Sequence, residues 1–246
     1  ILVVVHLGGN PCDLKNIKKI CNKYKVKIIE DASHAMGARY KKEVIGNCKY
    51  SEITIFSFHA VKMITTGEGG ALLTNNKKLY INAKNLRSHG IIKNLSKKNF
   101  WIYDQKQLGY NFRLTDFQSA LGNSQLKCLD KFVKKRNQLA NYYYEFLDTK
   151  NISFQKIEKN DLSSRHLFIV KIKKNKRNQL MRFLKEKKIE TNLHYIPIYK
   201  FSYYNQKLKL KNSEIYFNNC VSLPLHTKLN KLNIKMISEL INKFLS

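Results

Sequence analysis

The sequence predicts an α/β protein, a mostly parallel sheet followed by a smaller α+β domain, from three observations. Short, almost wholly apolar runs alternate with helical patterns over residues 2–87, as buried parallel strands and their crossover helices do. A helical pattern of unusual length then runs from about Thr115 to Leu147. Beyond it, shorter strand and helix patterns return over 151–246.

In chain order, Leu2 to Leu7 reads as an apolar strand that stops at the Gly8-Gly9-Asn10-Pro11 turn cluster. Asp13 is placed to cap a helix on which Leu14, Ile17, Ile20 and Cys21 recur at helical spacing. Val26 to Glu30 is a second buried strand, ending at Asp31, and Ile53 to Phe58 a third. Ala71 to Thr74, after the Gly69-Gly70 turn, is a fourth, and Lys78 to Arg87 a helix. Residues 91–113 are polar, aromatic and irregular, the pattern of a loop or lid. From Thr115 the apolar face carries Phe117, Leu121, Leu129, Phe132 and Phe146. This stretch is read as one long helix linking a large-domain portion over 1–114 to the small domain over 151–246. In that domain His166–Ile172, Leu193–Ile198 and Val221–Leu225 read as strands. Asn178–Lys187, Glu214–Asn219 and Ile234–Phe244 read as helices, the last with Ile234, Ile237, Ile241 and Phe244 on one side.

Composition narrows the class. The 246 residues suffice for a full core, and 43% hydrophobic with 11% aromatic content excludes a disordered chain. No run approaches the roughly 20 apolar residues that span a bilayer. Ile1 to Val5 has no basic segment before it and no cleavage site after it, so it reads as a strand, not a signal peptide. Five scattered cysteines (Cys12, Cys21, Cys48, Cys128, Cys220), with no C-x-x-C pair, argue against a disulfide framework or a zinc site. They fit a reducing cytoplasm. Lys+Arg number 46 against 17 Asp+Glu, a net charge of +29. Such an excess admits nucleic-acid binding or attraction to acidic ligands. Here the lysines are spread along the whole chain without a nucleic-acid signature, which reads as compositional bias. A positive surface would still help capture a diphosphate.

The chemistry concentrates at strand ends. Asp31 closes an apolar strand, where open α/β sheets place their ligands, although a turn-forming aspartate would look the same. The Glu30-Asp31-Ala32-Ser33-His34-Ala35 run is followed, one strand later, by Ser57-Phe58-His59-Ala60-Val61-Lys62. A carboxylate, a hydroxyl and a lysine thus lie at neighbouring strand ends. Chemistry on a pyridine ring needs this set. A carboxylate keeps the ring nitrogen protonated, an amine supplies an imine and shuttles a proton, and hydroxyls and N–H groups bind a phosphate. Lys62 alone means little in so lysine-rich a chain. Its context, Met63-Ile64-Thr65-Thr66-Gly67-Glu68-Gly69-Gly70, lets the backbone turn tightly beside a ring.

Residues 30–37, 57–62 and 65–70 resemble the signature blocks of the DegT/DnrJ/EryC1/StrS sugar aminotransferases. Arg87–Gly90, Gly109–Leu114, Gln118–Gly122, His194–Tyr199 and Ser222–His226 continue the resemblance in order, over essentially the whole chain. It implies fold type I of the pyridoxal-phosphate-dependent transferases. The activity implied is transamination of a UDP-linked 4-keto-6-deoxy-HexNAc, with an amino acid such as glutamate as donor, on a route to pseudaminic acid or a similar surface sugar. By position, Lys62 is implied as the Schiff-base lysine and acid/base, and Asp31 as the partner of the pyridinium nitrogen. His34 would lie near the ring's phenolic oxygen and Ser57 on the cofactor phosphate. Asn111 would reach the neighbouring subunit's phosphate in a homodimer with shared active sites. His59 and His89 are read as packing or substrate-side residues. Tyr195 and Tyr199 would line the sugar pocket or serve as strand residues with polar tips. Retention of Lys62, where sugar dehydrases of the family carry histidine, favours transamination. No metal is implied.

The family's fold begins well before the equivalent of Ile1, and the chain opens inside a strand without Met. Upstream sequence is therefore expected to be missing, with early strands, further phosphate contacts at a helix N-terminus and a group stacking on the cofactor. Two rival readings remain: a truncated, inactive remnant that only dimerises, and a basic nucleic-acid-binding protein.

Overall fold

The computed structural model of the chain describes every residue except 94–98, 100, 174–175 and 205–207. β1 (Leu2–Val5) runs parallel to β2 (Ile28–Asp31) through the crossover helix α1 (Leu14–Lys23). A small hairpin, β3 (Arg39–Tyr40) and β4 (Glu43–Val44), precedes β5 (Ile53–Ser57), which pairs parallel with β2. β6 (Gly70–Leu73) returns antiparallel, so the sheet order is β1-β2-β5-β6. Asp13 caps α1 as the sequence predicts, accepting the Asn16 N–H at 3.5 Å. Leu14 and Cys21 of that helix pack with Val4, Ile28, Ala32, Ala35 and Tyr40 in the N-terminal core. The first strand is shorter than the apolar run suggests. Gly8 and Gly9 both have positive φ and turn Leu7–Gly9 into a 3-10 helix.

After β6 comes α2 (Lys77–Arg87), whose cap Asn76 accepts the Lys78 and Leu79 N–H groups. The expectation of an irregular 91–113 needs correction. β7 (Ile91–Lys93) and β8 (Tyr103–Gln105) form an antiparallel pair; residues 94–98 and 100 of this stretch lie outside the described ones. Short pairs with a polar connection carry no periodicity long enough to read. The single helix expected from Thr115 to Leu147 is two, α3 (Asp116–Leu126) and α4 (Leu129–Phe146). The break is a tight turn in which the Lys127 and Cys128 N–H groups both reach back to the Gln125 carbonyl. Lys127 and Cys128 stay near helical dihedrals without Gly or Pro, so the sequence carries no stop signal.

The C-terminal unit is an antiparallel sheet, β11-β10-β9, built from β9 (Ile152–Phe154), β10 (Phe168–Ile172) and β11 (Cys220–Leu223). α5 (Arg177–Glu186), α6 (Lys211–Asn219) and α7 (Lys231–Leu245) complete it, with α4 packed against α7. Its core includes Leu139, Tyr143, Phe168, Val170, Leu180, Val221, Ile234 and Ile241. Tyr143 is fully buried, stacks on Phe168 at 4.6 Å and donates its hydroxyl to the Pro224 carbonyl. The strand expected at Leu193–Ile198 does not form. Asn192 makes a single bridge to Ser222, and Pro197, which lacks an N–H, leads instead into a 3-10 turn over Ile198–Lys200.

The two units join through backbone. Leu162 and Arg39 exchange N–H···O bonds of 2.8 Å, and Ser164 and Leu167 donate to the Gly9 and Gly8 carbonyls. A Cβ at Gly9 would collide with the Ser164 hydroxyl and lie 2.8 Å from the His34 carbonyl, so this close approach requires glycine. Among the described residues no helix is long and apolar enough to cross a membrane.

Candidate active site

Alternation along β2 sends Glu30 and Asp31 to opposite faces of the sheet. Glu30 is buried with His6 and Ser51: its carboxylate oxygens accept from His6 Nε2 at 3.0 Å and Ser51 Oγ at 2.5 Å. The Cys12 N–H donates to His6 Nδ1, which puts the ring proton on Nε2. This pair is a paired, buried network inside the core. Asp31, on the other face, accepts the Ser33 N–H at 3.0 Å and starts the turn that carries His34.

Lys62 lies in the turn between β5 and β6. That turn is closed by hydrogen bonds from Lys62 N–H to the His59 carbonyl, Thr66 N–H to Phe58 and Phe58 N–H to Gly69. Gly69, at φ +149°, leaves no room for a side chain: a Cβ would sit 2.5 Å from Thr66 Oγ1. Buried Met63 and Ile64 anchor the turn and leave Lys62 half-buried.

Electrostatics groups these residues. Burial lowers the Lys62 pKa, with the Asp31 carboxylate acting the other way. Burial, then the positive charges of Lys62 and His194, lowers His34 to about 4, again against Asp31. His166 and His194 are lowered too, first by burial and then by neighbours that include Lys62. Asp31, His34, Lys62, His166, His194 and Tyr195 are therefore one cluster. His34 Nε2 lies 3.2 Å from the Tyr195 hydroxyl, and its ring centroid is 4.5 Å from that of His166. His194 Nδ1 bonds Ser222 Oγ at 2.7 Å.

The other expected site residues fall elsewhere. Ser57 ends β5, its hydroxyl accepting the His59 N–H at 3.3 Å. His59 is exposed, 3.8 Å from the Glu68 carboxylate. His89, at φ +62°, donates its N–H to Tyr110 beyond the end of α2, and exposed Asn111 bridges Ser88 beside it. The Tyr199 hydroxyl donates to Glu214 at 2.9 Å, and the residue lies in a 3-10 turn, which corrects the expectation of a strand there. A cavity of about 890 Å³, lined by Phe58, Leu72, Arg87, Phe112 and Arg113 among others, includes none of Asp31, His34 or Lys62. It is separate from the cluster of Asp31, His34 and Lys62.

His166 and His194 carry no role in the sequence reading. His194 stands in a block that the resemblance quotes; His166 opens a run read as a strand, with no motif of its own. The donor set fits pyridoxal phosphate: a carboxylate, a partly dehydrated amine and a neutral imidazole converge. His166 Nδ1, buried beside them, is a polar atom with no hydrogen-bond partner among the described residues.

The DegT/DnrJ/EryC1/StrS aminotransferase family matches residues 1–242. A UDP-4-amino-4,6-dideoxy-N-acetyl-beta-L-altrosamine transaminase of Campylobacter jejuni is 39% identical over 243 residues, covering 96% of this chain and 63% of that protein. The protein of the same name from Helicobacter pylori is 33% identical, covering 98% and 65%. This chain thus spans less than two thirds of the length of these curated relatives. Among solved structures, Helicobacter pylori PseC, an aminotransferase involved in the biosynthesis of pseudoaminic acid, superposes with a TM-score of 0.91 at 33% identity. That match covers 99% of this chain and 66% of PseC. The PMP-form of the putative sugar aminotransferase Spr1654 from Streptococcus pneumoniae gives 0.90 at 27% identity, covering 98% and 68%.

Proposed function

Because the chain belongs to the DegT/DnrJ/EryC1/StrS aminotransferase family, we propose that the protein aminates a UDP-linked 4-keto-6-deoxy-HexNAc with pyridoxal 5′-phosphate as cofactor and glutamate as donor. The product would serve pseudaminic acid or a similar surface-glycan amino sugar. The fold is fold type I, which the TM-scores of the sugar aminotransferases support. One observation carries the reading: the end of β2 and the turns after β2 and β5 bring Asp31, His34 and Lys62 into a single electrostatic cluster.

When bound, the cofactor supplies an electron-accepting ring that stabilises a carbanion beside an amine. Asp31 offers its carboxylate to the ring nitrogen and keeps a proton there. Lys62 Nζ, made less basic by burial, is the nucleophile and then the group that takes and returns a proton. Neutral His34, its Nε2–H directed at the Tyr195 hydroxyl, adds no positive charge next to Lys62. Ser57 is assigned to the phosphate, and Asn111 to a second subunit's phosphate in a homodimer. Five free cysteines suit the cytoplasm.

The test mixes the protein with pyridoxal phosphate, follows visible absorbance, then reduces with borohydride and maps the modified peptide. A yellow species and an adduct on Lys62, both lost in Lys62→Ala, are expected, with transamination falling by about a thousandfold or more. An adduct on other lysines only, unchanged in Lys62→Ala, would sink the assignment.

A further inference from the structure

His34 stands where the two units meet, and most of what holds its side chain comes from the C-terminal one. The Gly8 N–H donates to Nδ1 at 3.3 Å, so the ring's single proton sits on Nε2 and points at the Tyr195 hydroxyl, 3.2 Å away. Ser164 Oγ, fully buried, donates to the His34 carbonyl at 2.7 Å and pins the backbone. The His166 ring packs on one side at 4.5 Å and 41°, and the Tyr195 ring lies at 6.2 Å and 25°. His166 is itself fixed: buried Arg136 donates from Nη1 to the carbonyls of Arg165, His166 and Leu225 at 3.2, 3.1 and 2.7 Å. Tyr195 is 52% exposed, so its ring is no core filler, yet its hydroxyl turns inward to an imidazole.

We propose that His166 and Tyr195 are positioning residues that act through His34, seating its neutral imidazole beside Lys62 with Nε2–H aimed at the Tyr195 hydroxyl. This rests on the reading of Asp31 and Lys62 as the cofactor-holding pair and deepens it. The charged and titratable groups around His34 are Lys62, His194, His166, Asp31 and the Tyr195 hydroxyl. Burial, then Lys62 and His194, oppose a second proton and Asp31 favours one; the His166 ring, by excluding water, adds to the burial that keeps the ring neutral. A ring packed and hydrogen-bonded from the second unit makes the chemistry at Lys62 depend on how the two units are seated.

Long-range proton–nitrogen spectra of ¹⁵N-histidine-labelled protein read this without cofactor. In the unmodified protein His34 is expected as the Nε2–H form from about pH 5 to 8. Tyr195→Phe should shift the His34 Nε2–H signals and lower kcat about tenfold, the scale of one hydrogen bond, with the sugar KM within about twofold. His166→Ala should raise the His34 midpoint by about one pH unit or more, and His166→Phe, which restores a flat wall, should return it. Should His166→Ala not fold, Tyr195→Phe decides. The proposal is overturned if His34 titrates with an ordinary midpoint in the unmodified protein. It is also overturned if Tyr195→Phe raises KM while leaving kcat and the His34 signals unchanged, as a plain sugar contact would. Expected His34 signals in a protein that forms no adduct at Lys62 would uphold the clamp and reject the cofactor reading alone.

Discussion

The two halves of this molecule spend their apolar residues differently. In the C-terminal unit α4 and α7 each bury five residues, and Tyr143, Phe168, Leu180 and Ile234 are almost wholly excluded from water. In the N-terminal half α2 and α3 bury none, and Leu2, Val3, Val5, Leu72, Tyr80 and Ile81 stay exposed. Yet Asp31 and Lys62 stand in the loosely covered half. The dense unit is the platform from which Ser164, His166 and Tyr195 meet His34 in the other half.

Substitutions can break that contrast, and the largest effect is expected at its dense end. Phe168→Ala removes a ring stacked on Tyr143 and should cost about 3–5 kcal/mol, read as a shifted denaturant midpoint. A cost under about 1 kcal/mol would mean the C-terminal core is not the platform. Acid tests the seam. Unfolded His34 takes up its proton near 6.5 and folded His34 only near 4, so the unfolded chain binds more protons in that window. Stability present above 6.5 is therefore lost as pH falls toward 4. His34 contributes roughly 2 kcal/mol after allowance for solvent screening, and His166 and His194, lowered by burial, act in the same direction. A stability profile flat between pH 7 and 4 would contradict the buried imidazoles. Smallest is the sparse half, where Leu72→Ala on the exposed side of β6 should change stability by no more than about 0.5–1 kcal/mol. A loss as large as that of Phe168→Ala would erase the distinction.

Much of this was legible beforehand, for identifiable reasons. Apolar runs bounded by turn residues mark β1, β2, β5 and β6, and the Asp13 cap marks the start of α1. Lys62 stood out because a strand precedes it and glycines follow it, not because it is a lysine. The misses share a cause too. The break between α3 and α4 has no Gly or Pro, Pro197 replaces an expected strand by a turn, and the β7–β8 pair is too short for a period. Tyr199 and Tyr195, four positions apart, looked equivalent; one bonds Glu214 and the other His34.

By itself the sequence determined which stretches become strands and helices, and that an acid and an amine follow successive parallel strands, because local periodicity and turn chemistry act over a few neighbouring residues. Only the tertiary structure decided that Ser164, His166 and Tyr195 meet His34, across separations of 130 residues and more. Such meetings are set by how two independently packed cores dock, and docking leaves no periodic trace along the chain.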